Sequence, residues 1–283
     1  MNPPTADQHF GLALSGGGFR AVLYHLGVIR FLRDVKILPQ VTHITSVSGG
    51  SVIGAHLALN WDRYCGTEAE FDSAATELLR FLELDVRNRI VRRFPLTALV
   101  NAGRRVVRLD PKRHNTRTGL LERHYERFLY GDTGLFQLPE SPHLYMLATN
   151  LNEGSLCAFH RNGMLLQRRS RGGREVHVDL VRMGLATVPM AVTASSAFPG
   201  FFPPLELSAK DVGANEGEFS HHAFTDGGIY DNLGLRMFRY LQEVAVEPGE
   251  DGSPIELDGV FVSDAGASFK VFSERTAGGL LKT

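Results

Sequence analysis

Cysteine is scarce: Cys65 and Cys157 are too few for a disulfide framework and lack the paired spacing of a zinc site, so both are expected to be inert thiols. No run of about eighteen apolar residues occurs, which argues against a membrane-spanning helix, so that any membrane contact would be peripheral. Charge of one sign is also missing. With 30 Lys and Arg against 31 Asp and Glu, the net charge is −1, and a dedicated nucleic-acid partner is not expected. Residues 1–8 are polar and contain proline, without the basic-then-apolar order of a secretory signal, so a cytoplasmic protein is expected. No repeat of solenoid period is visible, and the fold has to be read from local units.

What is present is a strand–glycine–helix pattern, given twice. The apolar run Phe10 to Leu14 meets Ser15-Gly16-Gly17-Gly18, and Val22, Leu23, Leu26, Ile29 and Leu32 follow at helical spacing. Then His43 to Val47, rich in β-formers, leads through Ser48-Gly49-Gly50 into a second helical stretch. Two such units predict parallel βαβ winding in an α/β fold. The sequence Leu144 to Leu151, Asn152-Glu153, Gly154 to His160 predicts a hairpin, Pro189 starts a short helix, and Gly259 to Ser263 is a late strand.

Residues 61–131 differ, being helical and charged, with nine Lys or Arg between Val86 and Arg113. They are expected to form an insertion or lid on one catalytic domain covering residues 1–283. Arg87, Arg89, Arg92, Arg93, Arg104, Arg105 and Arg108 alternate with apolar residues in the manner of a surface for anionic lipid. Residues 276–283 show no closing element, and the chain is expected to have been cut from something longer.

Ser48 stands where a strand turns sharply into a helix, and Gly49 and Gly50 permit the strained backbone that projects a hydroxyl outward. The usual elbow is Gly-x-Ser-x-Gly; here Ser46 takes the place of the first glycine, a small enough residue to be tolerated. Acyl transfer also needs N–H donors aimed at a developing oxyanion, each worth about 3 kcal/mol. Gly16, Gly17 and Gly18 are expected to supply them, with the positive end of the following helix. A dinucleotide site is the competing reading of this turn, since positions 16, 18 and 21 are Gly, Gly and Ala; it lacks an acidic residue closing the second strand. Asp226, after a short strand and before Gly227 and Gly228, is expected on an open loop at the same carboxyl edge of the sheet as Ser48. Asp231 and Asp264 are rival acids, expected to be cap or loop carboxylates. His221 and His222 precede Asp226, but no histidine follows it, against the Ser, acid, His order of a hydrolase triad.

Taken in order, Gly16 to Arg20, the Ser48 turn, Ala194-Ser195-Ser196-Ala197-Phe198-Pro199 and Asp226-Gly227-Gly228 resemble the patatin-like phospholipase family over about residues 10–235. The resemblance implies a three-layer α/β/α fold with a mostly parallel sheet and hydrolysis of fatty-acyl esters of phospholipids or lysophospholipids. It also implies a Ser-Asp dyad falling on Ser48 and Asp226, the glycine turn as oxyanion hole, and no cofactor or metal. Arg20 would brace the oxyanion loop through backbone carbonyls, Asn232 matches the family's spacing after the Asp, and Phe198 to Pro204 resembles an apolar loop near the acyl pocket. A catalytically silent lipid-binding module and a Ser-His-Asp esterase remain the alternatives.

Overall fold

The structure, a computed structural model, describes residues 8–106, 113–169, 176–243 and 255–266. The two predicted βα units are β1 (Phe10–Leu14) with α1 (Gly18–Asp34) and β2 (Val41–Val47) with α2 (Gly49–Leu59). The charged block folds into α3 (Trp61–Cys65), α4 (Glu68–Leu82), α5 (Val86–Val106) and α6 (Arg117–Tyr125). A capping box between Thr67 and Glu70 starts α4. The predicted hairpin is β3 (His143–Asn150) and β4 (Ser155–His160), continued by β5 (Gly163–Arg169) and β6 (Val176–Val181). Then come α7 (Val188–Ser196), with proline in its first turn, β7 (Leu205–Ser208), α8 (Ala209–Val212), β8 (His221–Asp226), α9 (Gly228–Asp231), α10 (Leu235–Glu243) and β9 (Gly259–Ser263).

The sheet runs β6-β5-β4-β3-β2-β1-β9, parallel from β3 to β9 and antiparallel from β3 to β6. Its parallel strands are apolar on both faces because both are covered. Leu12, Leu14, Ile44 and Met146 pack with the helical block, including Phe71, Phe81 and Leu120, in the larger core. Val47, Tyr145 and Leu147 point the other way, onto Met237 and Leu241 of α10. Helices on both faces make the three layers of an α/β/α sandwich.

Within the helical block α5 departs from the outward-facing surface expected of it. Val86 and Ile90 are buried and Phe94 packs on the core, so these side chains face the protein rather than solvent. Arg89 and Arg92 are exposed, as are Leu99 and Val100. Arg108, the basic stretch 170–174 and residues 276–283 lie outside the described residues. Both cysteines are protonated thiols, Cys65 pushed up to about 12 and Cys157 further, in each case by burial.

Candidate active site

Strand β3 brings the two key residues together. Its edge opposite β4 is shared by two strands: β2 pairs in parallel as far as Val47↔Leu147, and β8 pairs antiparallel from Ala148↔Asp226 onward. The carboxyl ends of β2 and β8 therefore meet head-on along one strand. Ser48, the next residue after β2, cannot continue the ladder because Asp226 already occupies the position opposite Ala148, and the chain turns out of the sheet there. Asp226 lies at the carboxyl end of β2 beside Ser48, but it closes an antiparallel strand and is buried instead of standing on the open loop expected of it.

Ser48 takes φ 53° and ψ −118°, in the left-handed half of backbone space, and caps α2. For a non-glycine residue that conformation costs on the order of 1–3 kcal/mol and persists only where neighbours hold it. Gly49 is required by close approach, since a Cβ there would run into the Gly18 carbonyl oxygen. Gly18 has φ 64° as it opens α1, and Gly50 lies against the Leu14 carbonyl in the same way as Gly49 against Gly18. The two glycine turns are thus packed backbone to backbone.

Asp226 is 3% exposed and Ser48 8%. The Gly228 N–H donates to Asp226 Oδ1 at 2.8 Å, whereas Oδ2 is buried without a partner in hydrogen-bond geometry among the described residues. The Ser48 hydroxyl is close enough to stabilise the carboxylate, but the contact is looser than a formed hydrogen bond. Burial dominates and raises the Asp226 pKa above the ordinary carboxylate value, with Ser48 and Gly228 opposing it. A carboxylate tuned upward is a better proton acceptor. If Asp226 acts as base, activity falls as pH drops through its pKa, and the acid limb of kcat/KM lies above the ordinary Asp value of about 3.9. A pH–rate profile checks this; a limb at or below that value contradicts it.

The supporting residues divide. The Gly16 N–H, one of three expected oxyanion donors, is already given to the Asn232 carbonyl at 3.0 Å. Gly17 and Gly18, exposed at the start of α1, keep amides of the kind a helix leaves unused in its first turn. Asn232 also lays its side chain against Gly16 and Gly228, tying the first glycine turn to the loop after Asp226. Gly227 sits against the Leu147 carbonyl, where a side chain would not fit. Arg20 is exposed at the cavity and forms no hydrogen bond to a backbone carbonyl among the described residues, so the bracing role suggested for it is not the arrangement seen.

Ser48, Asp226, Gly16 to Gly18, Arg20, Gly49, Gly228 and Asn232 all line one cavity of about 710 Å³. Its remaining wall is mostly apolar: Val52, Phe198, Phe201 and Phe202, with Val86, Leu121 and Tyr125 from the helical block. Tyr125 and Ser196 spend their protons inside the protein: Ser196 Oγ donates to Val192 O at 2.7 Å and so receives the Tyr125 hydroxyl at 3.1 Å. Phe198, Phe201 and Ile229 are each more than half exposed at the rim. Sequence reasoning did not find Val86, Leu121 or Tyr125, whose spacing reads as helix packing. Ser195 stood in a motif without a role.

The rival acids are occupied. Asp231 accepts from the Gly234 and Arg236 N–H groups at 3.2 and 2.8 Å, an α10 cap, and Asp264 accepts from Gly266 at 2.8 Å. Among the described residues no histidine lines the cavity: His222 stacks on Phe219, and His25 bonds Ser15 O and Ser263. No cluster of three His, Cys, Asp or Glu able to hold a metal occurs among them either.

A family model described as patatin-like phospholipase matches residues 12–239. No curated protein matches the chain. Similar solved structures include human GIVD cytosolic phospholipase A2 in complex with methyl gamma-linolenyl fluorophosphonate, 18% identical over 69% of this chain and 30% of that one, with a TM-score of 0.45. VipD from Legionella pneumophila is 16% identical over 81% of this chain and 47% of its own, with a TM-score of 0.36. The chain therefore spans under half the length of either.

Proposed function

Since the chain belongs to the patatin-like phospholipase family, we propose that it hydrolyses fatty-acyl esters of phospholipids or lysophospholipids with Ser48 as nucleophile and Asp226 as base. One observation carries the reading: a serine hydroxyl at a strained strand–helix turn lies near a buried carboxylate, one oxygen of which has no hydrogen-bond partner among the described residues, on the wall of an apolar cavity.

Asp226 accepts the Ser48 proton as Oγ attacks the ester carbonyl. The tetrahedral oxyanion is held by the amides of Gly17 and Gly18 and the positive end of α1. Collapse breaks the ester bond, and Asp226 returns the proton to the departing alcohol. Water then gives a proton to Asp226 and attacks the acyl-enzyme; as the second tetrahedral intermediate collapses, Asp226 returns that proton to Ser48 Oγ and the fatty acid leaves. Gly228 keeps Asp226 aimed throughout by its bond to Oδ1, leaving Oδ2 for the proton. The cavity lining holds no histidine among the described residues, which favours the dyad over a triad.

An acyl chain fits this wall, on which the hydroxyls of Tyr125 and Ser196 have no proton left to offer. We read the 61–131 block as a lid that forms part of the pocket, because Val86, Leu121 and Tyr125 come from it. The exposed rim of Phe198, Phe201 and Ile229, with exposed Arg89 and Arg92 on α5, suits peripheral contact with an anionic bilayer. No helix among the described residues is long and apolar enough to cross a membrane. Hydrolysis of a p-nitrophenyl ester series and of phospholipid vesicles tests the reading. Octanoyl and longer esters are expected to exceed acetate in kcat/KM, and vesicle binding to weaken as salt rises. A preference for acetate, with no release of fatty acid from vesicles, would refute it.

A further inference from the structure

The last turn of helix α7 holds a buried serine, Ser195, whose bonds reach both halves of the site. The Ser48 N–H donates to Ser195 Oγ at 3.0 Å, and Ser195 Oγ lies 2.8 Å from Ser51 Oγ. Ser51 Oγ in turn donates to Ser46 Oγ at 3.0 Å, and Ser46 Oγ to the Tyr145 carbonyl at 3.3 Å. Ser46, Ser51 and Ser195 are all fully buried. Each hydroxyl has one proton, so the direction of the chain is fixed. Ser46 spends its proton on Tyr145 and Ser51 its own on Ser46; the proton between Ser51 and Ser195 must come from Ser195. Both lone pairs of Ser195 then remain for accepting, and the Ser48 N–H fills one.

The other half of the site hangs from the same turn of backbone. Ser195 O accepts the Gly227 N–H at 3.1 Å, and Ala197 O accepts the Asp226 N–H at 3.2 Å and the Thr225 hydroxyl at 2.9 Å. Ser48 and Asp226, 178 residues apart in the chain, are thus both bonded to residues 195–197. The strained φ of 53° at Ser48 needs such an anchor, because relaxing it would pull the N–H away from Ser195.

We propose that Ser195 is a positioning residue that holds the Ser48 hydroxyl against Asp226: its Oγ accepts the Ser48 N–H and donates into a directed hydrogen-bond chain through Ser51 and Ser46 to the Tyr145 carbonyl. The proposal rests on the Ser48–Asp226 reading. It also explains why serine stands at position 46, where the usual elbow has glycine. The chain needs a relay hydroxyl there, and the space is found on the facing helix, where a Cβ at Gly54 would come to 3.0 Å from Ser46 Cβ. The glycine has moved to the other side of the contact. A further consequence is that the Ser48 amide is committed away from substrate.

The test compares kcat, KM and melting temperature of Ser195→Ala, Ser195→Thr, Ser51→Ala and Ser46→Gly with the wild type on one p-nitrophenyl ester. Loss of register at the nucleophile lowers kcat by on the order of 100-fold in Ser195→Ala, with KM nearly unchanged. Ser51→Ala loses less, Ser46→Gly less again but still below wild type, and Ser195→Thr, which keeps the hydroxyl, recovers most of the rate. A merely structural serine gives losses that follow melting temperature rather than place in the chain, and that outcome overturns the proposal. So does a Ser195→Ala with wild-type kcat or a Ser46→Gly at or above wild type. If Ser195→Thr does not fold, the Ser51→Ala step still decides, since that variant leaves the Ser195 side chain in place. A folded wild type that neither turns over esters nor reacts with a fluorophosphonate removes the hydrolase reading and the positioning role with it. An active wild type with unchanged Ser195→Ala removes the positioning role alone.

Discussion

Asp226→Asn is expected to lower kcat by about 10³- to 10⁴-fold while making the fold more stable at neutral pH. The two effects have one cause. Asp226 is buried, with one oxygen paired to Gly228 and the other unpartnered among the described residues, and burial raises its pKa. A folded-state pKa above the unfolded one means that the native protein binds the proton more tightly, so ionisation at neutral pH weakens the fold. Asparagine keeps an oxygen for the Gly228 N–H and carries no charge, but cannot accept the Ser48 proton. The stability difference should close as pH falls through the raised pKa towards the ordinary value, where the wild-type carboxyl becomes neutral too. Thermal unfolding across pH, set beside kcat, checks both halves. A variant that is less stable and equally inactive would mean that Asp226 holds the structure rather than the proton.

Ser48→Ala is expected to remove turnover to the limit of detection, a loss of about 10⁴-fold or more, because no covalent path remains. Its effect on stability should be small, since the backbone N–H to Ser195 and the cap of α2 do not use the side chain. Ser46 and Ser51, which also sit at this turn, do not compensate: their hydroxyls point into the chain that ends at Tyr145. Steady-state hydrolysis and circular dichroism of the variant are sufficient. Retained turnover in a folded Ser48→Ala would move the nucleophile elsewhere.

Much of this site is legible in sequence because its geometry is local. A strand, a glycine turn and a helix are consecutive, and Phe10 to Leu14 and Gly259 to Ser263 form strands with the predicted bounds. Glycine at 49 marks the close approach of two turns, since a Cβ there would run into the Gly18 carbonyl oxygen. What is not legible depends on partners distant in the chain. Asn232 uses its carbonyl, a group every residue has, to occupy Gly16, so no side-chain signal foretells the loss of that donor. Val86 and Ile90 alternate with arginines as a lipid-facing surface would, yet they are buried; periodicity gives a face but not what covers it. Ser195 was visible only as part of a motif, since its partner Ser48 is 147 positions away. Asp226 was found by its flanking glycines, whereas its head-on approach to Ser48 follows from β8 running antiparallel on β3.

The most direct test of the pairing of Ser48 with Asp226 is peptide-level mass spectrometry after reaction with an alkyl fluorophosphonate. One adduct per chain is expected, on the peptide carrying Ser48, absent from Ser48→Ala and forming far more slowly in Asp226→Asn. An adduct on a different residue, or one that forms on Ser48 at the same rate without the Asp226 carboxylate, would contradict it.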